Sequence, residues 1–346
     1  PLVDAEGVIY KVENSAFRDD VDGRSDDFTF FFGNKADAVG FATNLSDGGG
    51  NDVSDQSIIT TDDTPSDVDA ETGQTFFVGD GMSLQAALEE ASDGDTINVG
   101  PGEYTPGMNN LGMYIDQNNL TIQGVDNAGN TINDPSDLVT IQAAEQAGFG
   151  ANHFIVGDGV TISGVTLRAA QGAIDGGSVN KAVEFKGDDF TLTNSLIEAN
   201  TGTGIYVDGK GVVSKYLIEN NKVIGGIAVT GTVGDAADQQ ITDNEVGPYF
   251  GRPLISIRGE DDDIPWFNDP VVAPTVKNNT WVLDGQTEDG TDAVSTGLIR
   301  NIADDVSSID ADYVRDFIAD NEIGGGQSGQ YAFVLNEDGT LNTEDL

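Results

Sequence analysis

The chain has 346 residues, 60 acidic against 15 basic, for a formal charge of −45, with no cysteine and a single histidine. Disulfides and thiol chemistry are excluded, and a serine–histidine nucleophile system has only one imidazole to draw on. A field of this sign disfavours nucleic acid, anionic membrane surfaces and acidic polysaccharides unless cations intervene, and it favours divalent cations or a salty medium.

No apolar run approaches the roughly 20 residues of a membrane span. A start at Pro1 rather than Met reads as a processed, exported form, extracellular or at a cell surface. Residues 1–75 differ in pattern from the rest of the chain. Residues 7–12, 28–32 and 39–43 read as strands, separated by acidic turns, and residues 59–73 read as a Thr/Asp/Ser/Glu-rich linker. They form a small N-terminal β segment; alternatively Phe28-Thr29-Phe30-Phe31-Phe32 pairs with a sheet edge of this molecule or of a neighbour.

A helix is predicted over 83–91: Leu84, Ala87, Leu88 and Ala91 fall on one face, Ser83 is an N-cap, and Asp93-Gly94 is a stop. A strand starts directly after it, in Gly94-Asp95-Thr96-Ile97 followed by Pro101-Gly102-Glu103-Tyr104. This helix, turn and strand resemble the N-terminal cap and first strand of right-handed parallel β-helices of the pectate-lyase-like superfamily. The resemblance implies an all-β solenoid whose open end is covered by a capping helix.

From residue 113 onward a repeat supports that architecture. An apolar residue is followed by Gly, Asn or Asp at a bend and then by another apolar residue, as in Ile162-Ser163-Gly164-Val165-Thr166-Leu167 and Leu192-Thr193-Asn194-Ser195-Leu196-Ile197. Further copies open at Ile218, Ile241, Val276 and Ile318, and a degenerate one at Ile122. Gly, Asn and Asp tolerate the left-handed backbone region, so the column marks one tight bend per coil. Each copy is preceded by a short apolar strand, giving two or three strands per coil, about seven coils and a stack roughly 30 to 35 Å long. A β-sandwich or propeller would need regular hairpin turns instead. The β-helix is placed at 76–325, and residues 326–346 read as a C-terminal hairpin cap with its turn at Asn336-Glu337-Asp338-Gly339.

The stretch between the strand and the next repeat lengthens along the chain, from Ile115–Ile122 to Leu298–Ile318. Loops on a rigid scaffold are where function concentrates, although these also suit a cover for the C-terminal end of the stack. They hold Glu260, Asp261, Asp262 and Asp263, and also Trp266, Phe267 and Tyr313, which are candidate sugar-stacking aromatics. Calcium needs closely spaced hard oxygens, and Asp19, Asp20 and Asp22 form a second candidate group beside Glu260 to Asp263; Asp93 and Asp95 either join them or shape their turn.

The superfamily resembled is rich in polysaccharide lyases, hydrolases, esterases and epimerases, yet its catalytic signatures are missing. There is no Gly-His-Gly with Arg-x-Lys and no Asp-Pro-His-Glu, and Gly251-Arg252-Pro253 matches a pectin methylesterase segment without its companion motifs. Lyase chemistry needs only a base and a cation, for which Lys222, Arg252 and Arg258 on consecutive coils are candidates. The sequence therefore predicts a non-enzymatic extracellular structural or adhesive protein, self-assembling with copies of itself and assisted by calcium. The alternative is a polysaccharide lyase or carbohydrate-binding module acting on the long-loop face.

Overall fold

The computed structural model describes residues 30–32, 58–60, 73–79, 83–106, 112–136, 138–143, 152–170, 181–248, 253–258, 272–282, 284–286, 292–294, 297–302 and 311–324. Their strand pairing is that of a right-handed parallel β-helix with a ten-stranded and a thirteen-stranded sheet. Helix α1, Leu84–Glu90, lies at the N-terminal end, with Ser83 Oγ accepting from the Ala86 N–H at 3.1 Å. Leu84, Ala87 and Leu88 are buried against the first strands.

Each coil runs from a strand of the ten-stranded sheet, through the bend, into a strand of the larger sheet and then into a third strand of that same sheet. Residues in register form inward columns. Ile122, Ile162, Leu192, Ile218, Ile241 and Val276 stack in one sheet, while Leu167, Ile197, Val223, Val246 and Trp281 stack in the other. All are buried, so each coil covers the core of its neighbour.

The bend column is left-handed as expected, with φ of 65° at Gly164, 54° at Asn194, 52° at Asn220, 56° at Asp243 and 56° at Asn278. Immediately after it runs a second column, the buried Ser195, Asn221, Asn244 and Asn279 followed by the half-buried Asn321. Asn221, Asn244 and Asn279 each place their Nδ2 on the Oδ1 of the next, at 2.9 to 3.0 Å, and that same oxygen accepts the backbone N–H of the coil before it. The opposite corner has an exposed counterpart. Asp93 accepts from the Asn118 N–H at 2.7 Å, Asn118 Oδ1 from Asp158 at 3.0 Å, Asp158 from Asp188 at 2.7 Å, and Asp188 from Ser214 at 2.7 Å. Gly187 sits at this corner, where an added Cβ would run into the Gly157 carbonyl oxygen.

The sixth bend copy differs from expectation. Helix α2, Ala311–Asp320, replaces the strand before Asn321, so Ile318 is exposed and Val314 and Phe317 are the buried residues. Phe317 packs on Trp281 at 5.3 Å between ring centroids, which makes α2 a cover for the C-terminal end of the stack. Between Val282 and Gly297 the strands Asp284–Gln286 and Asp292–Val294 pair antiparallel as a small hairpin. The expected hairpin at 331–341 lies outside the described residues.

Of the two partners expected for the 28–32 stretch, a sheet edge of this molecule or of a neighbour, the structure shows the first: Phe30–Phe32 pairs parallel with Ile58–Thr60, which pairs antiparallel with Thr75–Val78, so both extend the ten-stranded sheet of their own chain.

Candidate functional site

Third strands of successive coils turn alternate residues inward and outward. The outward row in register is Tyr114, Phe154, Glu184, Tyr206, Ala228 and Ser256. The inward positions of strand His153–Ile155 are His153 and Ile155, which leaves Phe154 on the outer face. Tyr114 and Phe154 lie nearly parallel, 8° between planes and 6.4 Å between centroids, and Tyr114 is 38% exposed.

The chain's scarce basic residues gather around this row. Lys181 Nζ lies 3.7 Å from the centroid of the Tyr206 ring and donates to Glu184 Oε2 at 2.8 Å. Lys186 Nζ lies 4.6 Å from the Phe154 centroid and bridges Glu184 at 3.3 Å and Asp208 at 3.2 Å. Lys210 reaches Asp208 at 3.4 Å, and Arg168 pairs with Glu198 at 2.6 Å on the adjoining strand. Burial works against the Lys186 charge, but Glu184 and Asp208 outweigh it and hold the ammonium above the ordinary lysine range. Thr230 Oγ1 donates to the Val207 carbonyl at 3.0 Å, so the Tyr206 hydroxyl, 3.2 Å away, is the donor in their contact.

Lys186 is poorly placed to abstract a proton. Elimination needs a neutral amine or a phenolate, whereas Lys186, held by Glu184 and Asp208, stays an ammonium over the Phe154 ring. His153 is fully used in the interior: Nδ1 accepts from the Met113 N–H at 3.0 Å and Nε2 donates to the Ile141 carbonyl at 3.0 Å. Its burial pushes its pKa down to about 4.

The sequence-selected residues fall elsewhere. Lys222 pairs with Glu245 at 3.0 Å. In register it lies opposite Glu245, while Arg258 lies opposite Thr230 at the far end of the same strand, so Lys222 and Arg258 are not brought together. Tyr313 is on α2, half-buried against the core, and donates its hydroxyl to the Pro274 carbonyl at 2.9 Å; burial raises its pKa well beyond the ordinary tyrosine range. Asp93 has both oxygens on Asn118, and the buried Asp95 accepts three backbone N–H groups, from Gly73, Gln74 and Ser92. Asp19, Asp20, Asp22, Glu260, Asp261, Asp262, Asp263, Arg252, Trp266 and Phe267 lie outside the described residues. Among the described residues no group of three or more His, Asp or Glu is placed to hold a metal ion, and no helix is long and apolar enough to cross a membrane.

The sequence reading passed over Tyr114, Phe154, Lys181, Glu184, Lys186 and Tyr206. The available signal was polar and aromatic residues alternating with the apolar ones by which the strands are recognised, with Lys-x-x-Glu-x-Lys at 181–186.

No protein-family model matches this sequence, and no curated protein matches it. Two solved structures are similar in shape. One is a pectin methylesterase from Aspergillus niger, 11% identical, TM-score 0.32, covering 77% of this chain and 93% of that one. The other is an alginate lyase from Paenibacillus sp. str. FPU-7, 18% identical, TM-score 0.28, covering 66% and 91%. At this level the likeness concerns the solenoid alone, and the architecture rests on the strand pairing itself.

Proposed function

We propose that this protein is an exported polysaccharide-binding solenoid that holds a glycan chain along the outer face of its third strands. The observation that carries this reading is the aromatic row Tyr114, Phe154 and Tyr206 on the outer face of strands that follow one another at strand spacing, about 4.8 Å, with the buried Glu184 between the last two. A polymer of sugar rings laid along the stack meets a new side chain at each rung. Its apolar ring faces suit Tyr114 and Phe154, and its hydroxyls suit Lys186, Asp208 and Lys210. The paired ammoniums favour binding over cleavage.

The test is retention of the protein on a panel of immobilised polysaccharides, neutral and uronate, with calcium and with a chelator. Tyr114→Ala and Phe154→Ala are expected to weaken retention several-fold each. Equal retention of the double variant, or no retention on any member of the panel, removes the proposal. The calcium arm tests Asp19, Asp20, Asp22 and Glu260 to Asp263 as a calcium-holding part of it.

A further inference from the structure

Glu184 makes a second arrangement, independent of the glycan reading. Its Oε2 accepts both from Lys181 Nζ at 2.8 Å and from Asn152 Nδ2 at 3.1 Å, while Lys186 occupies Oε1 at 3.3 Å. The residue is 5% exposed. Asn152 and Lys181 belong to neighbouring coils, since His153 lies opposite Val183. A primary amine and a carboxamide from adjacent rungs are thus gathered on one buried carboxylate oxygen, which is placed to move protons between them.

We propose that the protein forms its own isopeptide bond between Lys181 Nζ and Asn152 Cγ, with Glu184 as proton carrier. Lys181 passes a proton to Glu184 Oε2, and the neutral amine attacks Cγ of Asn152. The Nζ–Cγ bond forms, the Cγ–Nδ2 bond breaks, and the departing nitrogen takes up protons from Glu184 and from the former ammonium. The balance is one Lys ammonium and one Asn carboxamide giving one secondary amide and one ammonium ion, with Glu184 returned as carboxylate and no change of oxidation state. Fixed placement replaces a bimolecular encounter, and a positioned acid–base group serves both proton transfers.

The amine attacks in its neutral form, so the step quickens as pH rises. The product ties two coils together covalently and leaves Lys186 to neutralise Glu184. Tyr114 and Phe154 are untouched, so glycan binding and cross-linking succeed or fail separately.

The full chain is held at roughly pH 9, nearer the ordinary lysine pKa of about 10.4, and followed by intact mass and by mapping of proteolytic fragments. The expected result is loss of the mass of one ammonia and a branched fragment joining Asn152 to Lys181. Lys181→Arg, which keeps a cation in place, is expected to abolish the loss, and Glu184→Gln to slow it by about a hundredfold. The proposal is overturned if wild-type protein keeps its full mass with both residues in linear fragments. It is equally overturned if the ammonia loss maps to Asn152 alone as a cyclic imide, or if Glu184→Gln links at the wild-type rate.

Discussion

Asn244 donates its side-chain amide to Asn279 Oδ1 at 2.9 Å while its own Oδ1 accepts both the backbone and side-chain N–H of Asn221, at 2.9 and 3.0 Å. Its Nδ2 also reaches the carbonyls of Ile218 and Thr242. One buried side chain thus satisfies polar groups on three consecutive coils, where no water competes. Asn244→Ala leaves the Asn221 donors buried without an acceptor, so it is expected to lower unfolding free energy by roughly 3 kcal/mol or more, against near zero for exposed Asn133→Ala. Denaturant melts of the two variants decide it, and equal midpoints would show the ladder to be dispensable.

The bend column was legible because Asn194, Asn220 and Asp243 occupy a backbone region few side chains tolerate, a constraint written into residue type. The ladder beside it was not, because a buried Asn has the same letter as an exposed one; only the pairing of coils shows Asn221 facing Asn244. Ile318 misled for a related reason. At the end of the stack the amphipathic spacing of Val314 and Phe317 competes with the repeat pattern, and packing on Trp281 decides for helix. On the outer face of the third strands, Lys181 and Glu184 meet Tyr206 and Asn152 through coil register, which depends on loop lengths that one sequence does not reveal.

His153 gives a clean pH signature, because it is the only histidine. Its pKa in the fold is about 4, against an ordinary 6.5 for the unfolded chain. Between those values the unfolded chain binds a proton that the folded protein refuses, so stability is fully present above pH 6.5 and falls as pH drops toward 4. The loss is on the order of 3 kcal/mol across that window. Urea melts between pH 7 and 5 should show it in the wild type, and the His153→Gln variant should lose this slope. A wild-type stability that is flat or rises on acidification to pH 5 would contradict the buried neutral imidazole, unless the variant rises more steeply still.

The exposed corner titrates lower. The Asn118 backbone and side-chain N–H groups hold the Asp93 carboxyl below its ordinary value. At Asp188, burial pulls the other way but is outweighed by the N–H groups of Ser214 and Lys215 and by the Ser214 hydroxyl. Depressed carboxyl pKa values stabilise the fold above the ordinary value, 3.8, and that contribution disappears as pH falls through the lower folded values. Asp188→Asn removes the titration and the carboxylate's contribution with it, so the variant should be less stable than wild type at pH 7, converge with it as pH falls below 4, and show a flatter acid limb. An unchanged acid limb would place the sensitivity elsewhere.

Phe317 tests whether α2 is a true end cap. Its ring is 2% exposed and lies 5.3 Å from Trp281, itself fully buried at the last rung of the larger sheet before Ile323. Without that ring Trp281 loses its aromatic cover, and among the described residues of the helix Val314 is the other buried side chain. Phe317→Ala is expected to cost about 3 to 5 kcal/mol, the range for emptying a buried aromatic site. Because a solenoid loses its terminal coil before its middle, the loss should show first as faster amide exchange in Thr280–Val282 and Thr275–Lys277, with the strands around Glu184 still protected. Uniform loss of protection along all coils would mean instead that the stack unfolds as one unit and that α2 has no separate capping role.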